Sequence, residues 1–91
     1  MTTGSKVRVE KGCKSLGITK GSSAKVVSIV ELGSEFSHSV KVVLRFLNSF
    51  ASGKEFALYA RHINRLGDVF VRLNDGHPDR HIEVVVVGGG T

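Results

Sequence analysis

Ser39-Val40-Lys41-Val42-Val43-Leu44-Arg45-Phe46-Leu47 places Val40, Val42, Leu44 and Phe46 at every second position, with Lys41, Val43, Arg45 and Leu47 between them. A period of two is what a strand requires when one of its faces lies on a core. Upstream, Ser23–Leu32 is a second run rich in Val and Ile, joined to the first by Gly33-Ser34-Glu35-Phe36-Ser37-His38. A short polar joint with glycine and serine has the composition of a hairpin loop. The two runs predict the central antiparallel pair of a small β-barrel.

The flanking segments extend this pattern. In Lys6-Val7-Arg8-Val9-Glu10 the valines point to a core and the charged residues to water. The loop from Lys11 to Gly21 is punctuated by Gly12, Gly17 and Gly21, with Leu16 and Ile18 as its apolar anchors. Beyond the central pair, Asn48–Gly53 reads as a turn and Lys54–Tyr59 as a strand with Phe56 and Leu58 on one face. Ala60, Ile63 and Leu66 recur at a spacing of three in a segment too short for a stable α-helix, which predicts a 3₁₀ turn. Val69–Leu73 is a fifth strand, Asn74–Asp79 a dense turn and Ile82–Val87 a sixth strand.

The expected fold is all-β: a small SH3-like barrel of five to six antiparallel strands, with a short 3₁₀ turn before the fifth. Residues 1–5 are expected to fray, 6–87 to form the single barrel domain with its C-terminal hairpin, and 88–91 to be a flexible Gly-rich tail. A chain of 91 residues suffices for one domain with a modest core. Its 41% hydrophobic and 23% charged residues are those of a globular protein rather than a disordered one. No apolar run approaches the length of a membrane-spanning helix, and no apolar signal-peptide core opens the chain, so a cytoplasmic location is expected. Cys13 is the single cysteine, which excludes an internal disulfide and leaves a cysteine-based zinc site without partners.

The placement of charge says more than the net +5. Residues 1–25 hold Lys6, Arg8, Lys11, Lys14, Lys20 and Lys25 against Glu10 alone, whereas seven cations and seven anions balance in residues 26–91. A local basic surface is the usual footprint of a polyanion partner. These six side chains, with Lys41 and Arg45 on the outward face of the third strand and Arg61 and Arg65 around the 3₁₀ turn, are the candidate nucleic-acid contacts. Lysines on a glycine-rich loop meet phosphates and supply affinity rather than sequence choice. Stacking needs exposed aromatics. Phe46, Phe56 and Phe70 are read as core-facing, leaving Phe36, Phe50 and Tyr59 as the stacking candidates.

Val7-x-Val9-x-x-Gly12, followed by Gly17, Gly21 and a strand containing Val26, resembles the start of a KOW-type module. Modules of that family occur in ribosomal proteins and transcription elongation factors. The resemblance implies a non-catalytic barrel that binds RNA, or a ribosome- or polymerase-associated partner.

Other chemistries find little support. No nucleophile, base and orienting group stand in a recognisable arrangement, no serine lies in a Gly-x-Ser-x-Gly elbow, and the glycines do not form a phosphate loop, so no enzyme is expected. His77 and His81 lie near Asp75 and Asp79, but spacing on a turn does not bring both rings to one face, and neither a metal nor another cofactor is expected. Ala57-Leu58-Tyr59 is shared with signalling SH3 domains, but the tryptophan of their peptide groove is absent. The alternative function is protein–protein assembly, including a homodimer, through Val84, Val85, Val86 and Val87, a valine run with no charge to guard it as an exposed edge.

Overall fold

The computed structural model of the chain describes residues 1–33, 39–47, 53–77 and 79–89. Among these, six antiparallel strands close into a barrel in chain order: β1 (Ser5–Lys11), β2 (Ser23–Glu31), β3 (Val40–Phe46), β4 (Glu55–Ala60), β5 (Phe70–Asn74) and β6 (His81–Gly89). A 3₁₀ turn, Lys14–Leu16, lies in the β1–β2 loop and a second, Ile63–Gly67, precedes β5. The expected all-β barrel is the observed one. No helix among the described residues is long and apolar enough to cross a membrane.

The core is built by alternation. Val40, Val42, Leu44 and Phe46 of β3 are all at most 1% exposed, and they meet Val7 and Val9 of β1, Leu58 of β4, Val71 and Leu73 of β5, and Ile82 and Val84 of β6 in one apolar cluster. Phe56 packs against this cluster, its ring edge-on to Phe46 at 5.4 Å between centroids and 88° between planes. Such T-shaped pairs add to plain burial. A double-mutant cycle between Phe46→Leu and Phe56→Leu is expected to give a coupling of about 1 kcal/mol in urea unfolding; strict additivity would show that the ring geometry contributes nothing.

Register breaks where the pattern does not announce it. In β2, Val26 pairs with Leu44 but Ser28 with Val43, so Val27 is bulged and Ile29, not Ser28, comes opposite the buried Val42. A bulge adds one residue to one strand and strengthens its local twist, which helps a short sheet curl into a barrel. Two more irregularities lie in the β1–β6 ladder, between Lys6 and Val7 and between Val9 and Lys11.

The start of the chain is held. Met1 donates its amino group to the Leu66 carbonyl at 2.8 Å, Gly4 N–H donates to Val26 O at 2.8 Å, and Ser5 is buried. Of the residues 1–5 expected to fray, Ser5 thus lies in β1, and Met1 and Gly4 are hydrogen-bonded to Leu66 and Val26. At the other terminus Gly88 and Gly89 extend β6 and pair with Lys6 and Ser5, so the strand runs past the expected boundary at Val87.

Candidate nucleic-acid interface

β1 carries its cations on the exterior, because Val7 and Val9 take the interior positions. Lys6 lies directly opposite Lys25 of β2, and Lys25 lies opposite Arg45 of β3. Arg45 in turn faces Glu55 of β4 and donates from Nε to its Oε2 at 3.0 Å. The exterior of β1, β2 and β3 thus bears a transverse row of three cations with an anion only at its far end. Like charges placed opposite each other across strands cost stability, and Lys25 stands between two of them.

Along β1 the field is partly neutralised. Arg8 is bridged to Glu10 at 2.6 Å, and Lys11 stands opposite Glu83 of β6. Lys6, Lys14, Lys20 and Lys25 are exposed and have no ion pair among the described residues.

The loop that carries Lys14 and Lys20 is well defined by its backbone. Cys13 N–H donates to Ile18 O at 2.8 Å and Ile18 N–H to Cys13 O at 3.1 Å, which pinches the loop into a small closed turn. Gly17 ends the 3₁₀ turn at φ 71°, a left-handed conformation that suits glycine, and its N–H returns to Lys14 O. Buried Ile18 anchors the loop to the core, and half-buried Leu16 packs beside it.

Arg61 and Arg65 do not extend this row. Six-fold closure puts β5 across the barrel from β2, and the two arginines stand over β5 rather than beside Lys25. They line a cleft of about 420 Å³ with Asp68, Phe70, Arg72 and Asn74. The cleft opens where the barrel is most loosely closed: β4 and β5 share one register pair among the described residues, Tyr59 with Asn74, against six between β3 and β4. Phe70 is the main correction to the expected core, since it is 55% exposed. Val71 and Leu73 take the inward positions of β5, so Phe70, Arg72 and Asn74 share its outer face. The polar Arg72 was the available signal, because a residue two positions from it must point the same way.

Of the stacking candidates, Tyr59 is half-buried and lies between Lys41 and Asn74 on the exterior of adjoining strands. Phe36 and Phe50 lie outside the described residues. Within the valine run, Val84 is fully buried and belongs to the core. β6 is paired with β1 on one side and, from His81 to Val85, with β5 on the other. The free edge on which assembly through Val84–Val87 depended is absent over that stretch, because barrel closure uses it; Val86 and Val87, 37% and 53% exposed, remain outside.

Side chains around the turn between β5 and β6 are engaged locally. Asp75 accepts the His77 N–H at 3.2 Å and faces Arg80 at 3.5 Å, while Arg72 Nη2 donates to His81 Nδ1 at 3.3 Å. Comparison with protein-family models, with curated proteins and with solved structures found no match to this chain.

Proposed function

We propose that this protein is a non-catalytic nucleic-acid-binding barrel, with RNA as the favoured partner, whose principal contact is the cationic exterior of β1–β3. The observation that carries the reading is the row Lys6–Lys25–Arg45, in which Arg45 alone has a carboxylate partner, together with the exposed Lys14 and Lys20 on the loop that joins β1 to β2. In a free protein such a row costs stability; a phosphate backbone threaded along it relieves the repulsion and releases counterions. The resemblance of Val7–Val26 to KOW-type modules favours RNA among the nucleic acids.

The test uses opposite signs in two measurements. Lys25→Glu sets a carboxylate between Lys6 and Arg45 and is expected to raise unfolding stability by about 0.5 kcal/mol. The same change is expected to weaken binding of a fluorescein-labelled single-stranded RNA by roughly 10-fold at low salt. For the unaltered chain, four neutralised phosphates give a log–log salt slope of about −3. An affinity that ignores both salt and the Lys25 reversal sinks this reading.

A further inference from the structure

The geometry points to a second site: we infer that the cleft over β5 receives one unpaired nucleotide, its base on Phe70 and its phosphate among Arg61, Arg65 and Arg72. This rests on the nucleic-acid reading above for the class of ligand, but on none of its residues. The two surfaces lie on opposite walls of the barrel.

Four observations converge. The cleft is about 420 Å³, within the ~300–1,000 Å³ of small-ligand sites. Every cation lining it is an arginine, whereas lysine dominates the β1–β2 wall. Guanidinium groups present a planar fork that meets phosphate oxygens two at a time. Among the described residues one lining carboxylate, Asp68, reaches Arg65 only at 3.5 Å, and Glu83 of β6 lies across from Arg72; two carboxylates against three arginines leave the cleft net positive. Arg61 has no ion pair among the described residues.

The aromatic ring supplies the second half of a nucleotide's chemistry. Phe70 holds its ring more than half exposed beside Arg72, although Val71 and Leu73 next to it are completely buried. An apolar ring left in water between cations is poor packing and a good stacking platform, since every base has a π-face. Asn74 adds a polar contact. Its Oδ1 accepts the Gly76 N–H at 3.0 Å, which orients the side-chain amide and leaves its N–H donors for the ligand. A lysine surface reads only charge. A ring within an arginine cleft distinguishes an unpaired nucleotide from a duplex, whose bases are already stacked.

The experiment measures anisotropy of a labelled ten-nucleotide single-stranded RNA and of the same sequence as a duplex, with the full chain and four variants, Lys25→Glu among them. Phe70→Leu keeps an apolar side chain at an exposed position and so preserves the fold; Phe70→Tyr keeps the ring. Expected results are a single-strand affinity lowered roughly 10-fold by Phe70→Leu, retained by Phe70→Tyr, and a duplex affinity that neither changes. Arg61→Glu is expected to lower single-strand affinity by a similar factor. If Phe70→Leu binds the single strand as the parent does while Lys25→Glu does not, the cleft assignment is wrong and the β1–β3 reading stands. If the Phe70 variant loses affinity and the Lys25 variant does not, the cleft stands and the lysine row fails. A decaglutamate peptide that binds the cleft as tightly as the RNA, with no dependence on Phe70, also overturns the assignment.

Discussion

Replacing Leu44 by alanine is expected to lower the free energy of unfolding by about 3 kcal/mol. Leu44 is fully buried at the middle of β3, opposite buried Val26 on β2 and half-buried Phe56 on β4. Its loss removes the transfer free energy of three carbon atoms and leaves a cavity that β3, held on both sides, is poorly able to close. A chain of this size has a total stability of roughly 5–14 kcal/mol, so the change is a large share of it. Leu47→Ala is the matched control: Leu47 is 46% exposed and in the opposite phase of the same segment, and its effect is expected within about 0.5 kcal/mol. Urea midpoints of the two variants decide the matter. Equal losses would mean that the inward and outward faces of β3 are wrongly assigned.

Gly12→Ala is expected to cost about 2 kcal/mol and to lower the melting temperature by roughly 10 °C. A Cβ on Gly12 would stand 2.5 Å from Ile18 O, 2.9 Å from Lys20 N and 3.0 Å from Thr19 C. All three are backbone atoms, so no rotamer change relieves the overlap. The pinched Cys13–Ile18 turn must open, weakening its paired hydrogen bonds and drawing Ile18 off the core. Gly33→Ala serves as control, because nothing lies within 4 Å of its added Cβ. A melting curve for Gly12→Ala superimposable on that of the parent would show that the loop yields freely. The variant also bears on binding, since the same turn positions Lys14 and Lys20.

These expectations rest on unequal parts of the reading. The inward face of β3 was legible from four alternating residues, and so were Val7 and Val9 of β1, because burial on one face imposes a local period that no distant contact needs to supply. The 3₁₀ turn before β5 was legible for the same reason, with Leu66 as its buried member, though Ile63 ends up 39% exposed. Phe70 runs against its hydrophobicity because phase outranks it: its neighbours Val71 and Leu73 already fill the interior positions. The burial of Val84 was not legible in Val84–Val87 for a related reason. Four identical residues carry no phase at all, and only the closed barrel shows that Val84 is fully buried while Val86 and Val87 are exposed.

The alternation within each segment settled that this chain is built of strands with one buried face and which side chains of β1 and β3 enter the core, and the bare order of residues settled that its surplus positive charge lies near the N-terminus. Everything that depends on which strand lies beside which waited for the assembled barrel. The opposition of Lys6, Lys25 and Arg45, the bulge at Val27, the use of β6 as a closing strand and the meeting of Phe70 and Arg72 with Arg61 and Arg65 all belong to that second class. The physical reason is one of range. A side chain's face follows from its immediate neighbours, whereas register and closure are set by pairing between segments tens of residues apart, and a one-residue shift there sends every subsequent side chain to the other side of the wall.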